Sequence, residues 1–195
     1  MNNVLDLFQR ITNDLLKDEN KNPVAQYIPS SELFDTLDLS LKTDPLSEDE
    51  FEKVVKELVF ASPRTATNGF FNQLFGGRNS KAILGELLSV ILNNSMYTYK
   101  AAGPQIGVEK VILKEVCDMI GWDEQAGGTL APGGSMTNFM SMLMARDKAS
   151  AAVRHQGMQQ KMMVYTSKES HYSIPKNAAF CGIGRDNVRY IPTDA

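Results

Sequence analysis

Apolar residues recur at helical spacing near the start of the chain. Val4, Leu5, Phe8, Ile11, Leu15 and Leu16 fall on one stripe, which predicts an amphipathic helix. From Asp18 to Pro45, charge, proline and serine mix without a period, so this stretch reads as a connector. Ser47-Glu48-Asp49-Glu50 then makes a capping-box pattern ahead of Phe51, Val54, Val55 and Leu58, and the helix it opens should stop before Pro63. The acidic first turn suits the positive end of the helix dipole. Further helices are expected from about Ser80 to Leu92 and from about Gln105 to Ile120, the second closed by Gly121.

Beyond Gly121 the rhythm changes. Gly128 to Ala131, Lys161 to Thr166 and Val188 to Ile191 are strand candidates, with helices expected from about Ser135 to Val153 and over Tyr172 to Phe180. Alternating strand and helix predicts an α/β fold with a parallel sheet covered on both faces. The pattern divides the chain into a helical N-terminal segment, 1–104, and the start of an α/β large domain, 105–195. Three strands make a thin sheet with long exposed edges, and Asp194-Ala195 follows directly on the third, a first physical hint that the α/β part is truncated.

Composition narrows the class. The 195 residues are 43% hydrophobic and carry 20 basic against 23 acidic side chains, a net charge of −3. That balance lacks the basic excess of a nucleic-acid-binding surface. Two cysteines, Cys117 and Cys181, make no disulfide framework or zinc motif, and two histidines, His155 and His171, cannot build a multi-histidine metal site. The first residues lack the pattern of a secretory signal. The longest apolar run, Leu87 to Leu92, is too short for a membrane span. A cytoplasmic protein is the expectation.

Two segments carry candidate chemistry. Pro132-Gly133-Gly134-Ser135-Met136-Thr137-Asn138 lies where an expected strand turns into a helix. Glycines there let backbone approach a ligand, and unpaired N–H groups with the helix dipole favour an anion such as one phosphate. The lysine of a Walker A loop is missing, as is the G-x-G-x-x-G spacing of a dinucleotide site. The alternative is a plain glycine turn capped by Ser135. The second segment, Ser167 to Ser173, places His171 just past the carboxyl end of a strand, the edge where open α/β sheets bind ligands. An imidazole there suits stacking on a flat ring or proton transfer, or else merely caps the next helix. Met136, Met140 and Met144 read as a packed stripe, Cys181 as a buried thiol, Trp122 as packing the end of its helix, and His155 as exposed.

Four segments together resemble the pyridoxal-phosphate-dependent group II amino-acid decarboxylases, in the glutamate and cysteine-sulfinate branch. Phe70-Phe71-Asn72-Gln73-Leu74 looks like that branch's F-F-N-Q-L segment, and Met96-Tyr97-Thr98-Tyr99 like its F-T-Y segment. Leu130 to Asn138 is similar to its S-P-G-G-[AS]-I-S-N phosphate turn, and Tyr165 to Ile174, continuing to Gly184, to its histidine segment. The likeness runs from about Leu46 to the last residue, in the family's order.

The resemblance implies an aspartate-aminotransferase-like fold (type I), preceded by a helical arm that helps form a homodimer. It implies pyridoxal 5'-phosphate as cofactor and an acidic L-amino acid as small-molecule substrate, decarboxylated to the amine. Ser135, Met136 (through its backbone) and Thr137 would hold the cofactor phosphate. His171 would stack on the pyridine ring beside the departing carboxylate, and Asn72 and Gln73 would help form the substrate pocket. No metal is implied, nor any nucleic acid or membrane. The family's D-A-A aspartate and its N-P-H-K lysine have no match here, and Lys176 corresponds to a helix lysine of the family, not to the Schiff-base one. By itself this chain is therefore expected to be inactive. Ala131 and Thr137 stand where serines are usual, and Gly103-Pro104 where a proline-valine pair is usual. Two other readings stay beside this one: a decarboxylase of another amino acid, and a non-catalytic fragment or degenerate paralogue acting through subunit association.

Overall fold

The structure, a computed structural model, describes residues 2–194. The chain divides into two compact units, with the boundary between Asn94 and Ser95. The segment 95–104, expected to belong with the N-terminal helices, packs in the second unit because α5 (Tyr99–Ala102) sits on α6 (Pro104–Ile120).

The first unit holds α1 (Asn2–Asp18), a single turn α2 (Leu33–Thr36), α3 (Glu48–Ala61) and α4 (Ser80–Leu92). The apolar stripe of α1 faces that of α3, and a groove of about 320 Å³ lies between Phe8, Ile11 and Leu15 on one side and Phe51, Val55 and Val59 on the other. Beside the groove, Arg10 and Lys56 both pair with Glu52, at 2.7 and 2.8 Å, which holds its carboxyl below the usual range. The connector after α1 is ordered by contact. Arg64 is buried, its N–H donates to the Val24 carbonyl at 2.7 Å, and its guanidinium meets Asp18 at 2.5 Å. Gly69 backs so closely on Val24 that a Cβ would lie 2.9 Å from Val24 Cγ2, so only glycine fits there without movement.

The second unit continues from α6 to α7 (Gly134–Ala149), α8 (Val153–Gln156), β1 (Val164–Ser167), α9 (Ser173–Phe180), a 3-10 turn (Arg185–Asn187) and β2 (Val188–Ile191). Pro104 opens α6, where its missing N–H costs nothing. Gly121 closes the helix at φ +84°, a conformation that favours glycine, and the Trp122 N–H returns to the Cys117 carbonyl at 3.0 Å. β1 and β2 pair in parallel, with Val164 opposite Val188 and Ser167 opposite Ile191, and α9 makes the crossover. Ala178, Cys181, Ile183 and Val188 form the buried centre, covered by Phe139, Met142 and Leu143 of α7. Phe139 and Phe180 meet edge to face with centroids 6.4 Å apart, and Arg146 Nη1 donates to the Cys181 carbonyl at 2.9 Å.

Several expectations need correction. Gly128 to Ala131 is not a strand: it has no neighbouring strand among the described residues to take its backbone hydrogen bonds. The sheet among these residues is two-stranded and covered on one face, since the register partners Tyr165 and Arg189 are both exposed. The helix expected to reach Val153 ends at Ala149, and α8 is a separate turn. Met136 and Met144 are exposed, because the face of α7 turned to the core carries Phe139, Met142 and Leu143 instead. Trp122 is 57% exposed, so it covers its helix end at most in part. Among the described residues no helix is long and apolar enough to cross a membrane.

Candidate active site

The glycine turn and the histidine segment come together in the second unit. Gly133 has φ +99° and ψ 157°, backbone that a side chain would strain, and it swings the chain directly into α7. No side chain caps that helix start. The Met136 and Thr137 N–H groups turn back to the Gly133 carbonyl at 3.0 and 3.3 Å, which leaves the Gly134 and Ser135 N–H groups as the open donors at the positive end of a four-turn helix. Ser135, Met136 and Thr137 are all exposed around it. The Thr137 hydroxyl donates to the Gly134 carbonyl at 2.8 Å and so keeps its lone pairs outward. An anion fits this turn, and a capped, satisfied helix end would not have offered the same donors.

His171 follows β1 by four residues. Its loop is fastened at the strand end: Thr166 Oγ1 donates to Ser170 Oγ at 2.6 Å, and Ser167 Oγ lies 2.9 Å from the same oxygen. The Lys168 N–H reaches the Ile191 carbonyl of β2 at 3.3 Å. The imidazole is exposed and tilted against Tyr172, with ring centroids 4.2 Å apart. One flat face is thus backed by an aromatic ring, as a stacking surface needs.

Two polar links tie the histidine segment to the glycine turn. Asn138 Nδ2 donates to Ser173 Oγ at 2.9 Å, and Asn177 Nδ2 donates to the Ser135 carbonyl at 3.0 Å. Ser173 and Asn177 are both buried and lie one turn apart on α9. Ser135, Met136, Thr137 and His171 therefore belong to one cross-linked cluster. Ser173 and Asn177 were not singled out as site residues in the sequence. Their signal was a pair of polar residues four apart on a short helix whose other positions are mostly apolar.

Asn72 and Gln73 lie in the first unit, both exposed, on a loop held by an edge-to-face pair of Phe70 and Phe75 with centroids 5.4 Å apart. Gln73 has φ +60°, so its backbone is held in a conformation that ordinary side chains rarely adopt. Cys181 is buried, and burial pushes its thiol pKa up despite the nearby Arg146, which leaves no thiolate nucleophile. Lys176 is exposed on α9 with Nζ 5.9 Å from the Phe180 ring centroid.

Residues 30–195 match the family described as "Pyridoxal-dependent decarboxylase conserved domain". The chain belongs to this family. It is 34% identical over 173 residues to mouse cysteine sulfinic acid decarboxylase, a match covering 88% of this chain and 35% of that protein. It is 32% identical to the mouse acidic amino acid decarboxylase GADL1 over the same length, covering 31% of it. The chain therefore spans about a third of the length of these relatives. The crystal structure of mouse CSAD in apo form superposes with a TM-score of 0.91 at 31% identity, over all of this chain and 42% of that one. The fold is accordingly the aspartate-aminotransferase-like fold of the pyridoxal-phosphate decarboxylases, represented by part of its large domain with the helices that precede it. The glutamate decarboxylase domain of diaminobutyrate-pyruvate transaminase and L-2,4-diaminobutyrate decarboxylase from Vibrio parahaemolyticus shares that fold, with a TM-score of 0.82 at 22% identity.

Proposed function

We propose that the protein carrying this chain decarboxylates an acidic L-amino acid (glutamate, aspartate or cysteine sulfinate) to the amine and carbon dioxide, using pyridoxal 5'-phosphate. One observation carries the reading: an uncapped, exposed helix start and an exposed imidazole are cross-linked in one cluster of a chain that belongs to this family. Among the relatives, a cysteine sulfinic acid decarboxylase and an acidic amino acid decarboxylase support the substrate class.

In this reading the Ser135 and Thr137 hydroxyls, with the backbone at Met136, would hold the cofactor phosphate. His171 covers one face of the pyridine ring and keeps water from the carboxylate that leaves. Asn72 and Gln73 supply polar contacts to the substrate. When bound, the cofactor supplies the electron sink that makes loss of carbon dioxide feasible. Turnover also needs a lysine and an aspartate that no residue of this chain matches, so the 195 residues alone are expected to be inactive. A homodimer is part of the proposal, supported by the exposed apolar side chains of α4. A cytoplasmic location is part of it too, supported by two cysteines that are both free thiols. A second reading, subunit association without catalysis, is favoured by the same exposed apolar side chains of α4.

The test is release of carbon dioxide from carboxyl-labelled glutamate, aspartate and cysteine sulfinate by the protein carrying this chain, supplied with cofactor. At least one substrate should react, and His171→Ala should slow it by about 100-fold or more, the scale of one lost catalytic side chain. A folded, cofactor-loaded protein that releases none from all three would refute the activity and leave the association reading.

A further inference from the structure

The hydrogen-bond directions around His171 admit one assignment. The Ser173 N–H donates to His171 Nδ1 at 3.2 Å, so Nδ1 accepts and carries no proton. Ser173 Oγ lies 2.9 Å from the same nitrogen, and the hydroxyl can engage it only by donating. Having spent its proton, that oxygen must accept from its other neighbour, and the Asn138 amide nitrogen lies 2.9 Å away. Ser173 is fully buried, so no bulk water competes for its hydroxyl. The chain of donation thus runs from Asn138 through Ser173 to Nδ1, and a proton on Nδ1 would face the Ser173 N–H.

We infer that Asn138 and Ser173 are positioning residues that lock His171 as the neutral tautomer with its proton on Nε2. A histidine ring is oriented by the bond its other nitrogen makes, and here that bond comes from Ser173 of α9, whose hydroxyl is held in turn by Asn138 of the helix that the phosphate turn opens. Ring and turn are set by one side chain, since Asn138 directly follows Thr137 on α7. Asn177 adds a second tie by holding the Ser135 carbonyl at 3.0 Å. What the Nε2–H then does rests on the decarboxylase reading: the ring offers a donor, and not a lone pair, to the carboxylate or cofactor beside it. The tautomer itself belongs to these residues whatever the ligand.

The experiment is a long-range 1H–15N correlation spectrum of the 195-residue chain, at alkaline pH where histidine is neutral. The chain has only two histidines, and the exposed His155 serves as internal reference. His171 should show a pyridine-type Nδ1 and a pyrrole-type Nε2, while His155 shows the averaged pattern of a free ring. Ser173→Ala removes the hydroxyl donor, and the isosteric Asn138→Asp reverses its direction by offering an acceptor. Each should move the His171 Nδ1 resonance part of the way toward the averaged position, since the Ser173 N–H still donates to it, and leave His155 unchanged. A pyrrole-type Nδ1, or an averaged pair, in the unaltered chain would overturn the inference, and so would an unmoved Nδ1 in a folded variant. If neither variant folds, the spectrum of the unaltered chain decides. Carbon dioxide release plays no part in this measurement, so the tautomer and the decarboxylase reading can each fail while the other stands.

Discussion

At the scale of single residues, Thr137 is where sequence and structure can be set against each other. The family pattern has serine there, and threonine keeps the hydroxyl. In the structure that hydroxyl is bonded to the Gly134 carbonyl at 2.8 Å, which points its lone pairs outward but directs its proton into the helix. To donate to a phosphate it must rotate away from that carbonyl, trading a neutral hydrogen bond for a charged one. Thr137→Ala should weaken retention of pyridoxal phosphate by about 2 kcal/mol, close to 30-fold, the scale of one hydrogen bond to a charged group. Thr137→Ser should stay within a few-fold. Equilibrium dialysis of the protein carrying this chain checks both, and equal retention in all three forms would remove Thr137 from the cradle. Ser135, Thr137 and His171 were legible because glycine turns and strand-end histidines have local signatures. Ser173 and Asn177 were not singled out, because a serine and an asparagine on a helix read as solvated until packing buries them.

At the scale of elements, α3 shows how far local rules reach. Its capping box forms as the sequence predicts: the Ser47 hydroxyl accepts from the Glu50 N–H at 3.3 Å, and Glu50 Oε2 accepts from the Ser47 N–H at 2.9 Å. These bonds hold the Glu50 carboxyl below its ordinary range, the Ser47 hydroxyl contributing most. A carboxyl whose value is lower folded than unfolded stabilises the fold fully above the unfolded value, about 4.3, and loses that contribution as pH falls through the folded one. Ser47→Ala should cost about 1 kcal/mol at neutral pH in urea unfolding. The advantage of the unaltered chain over Glu50→Gln should shrink below about pH 4.3. A gap that stays constant down to strong acid would deny the carboxylate its role. Helices α4 and α6 were legible for the same reason, since cap, period and closing residue are all local to the element. Gly128 to Ala131 was not, because a strand exists only with a neighbour, and no neighbour for it lies among the described residues. The methionine stripe misled because 136, 140 and 144 do share a face of α7, but not the one that the core selects.

At the scale of the whole molecule, the apolar surface is larger than an isolated chain tolerates. Helix α4 is apolar nearly all round, and Leu84, Leu88, Val90 and Ile91 are each more than half exposed. A helix of that composition is stable in water only when something covers it. The chain should therefore self-associate and bind a hydrophobic dye, and the proposed homodimer would draw on the same side chains. Burying a leucine or isoleucine contributes about 1.5–3 kcal/mol. Replacing Leu88 and Ile91 with glutamate should thus remove about 3–6 kcal/mol of association if both side chains are fully covered in the associated state. Glutamate forms helix as well as leucine does, so α4 itself should survive, and circular dichroism checks that. Sedimentation velocity should then show smaller species than the unaltered chain gives, with dye fluorescence falling in parallel. A double variant with the same helicity, mass distribution and dye binding would mean that α4 is not the associating surface. The homodimer proposal would then have to rest on other exposed apolar residues, Val108, Val111 and Ile120 of α6 first among them.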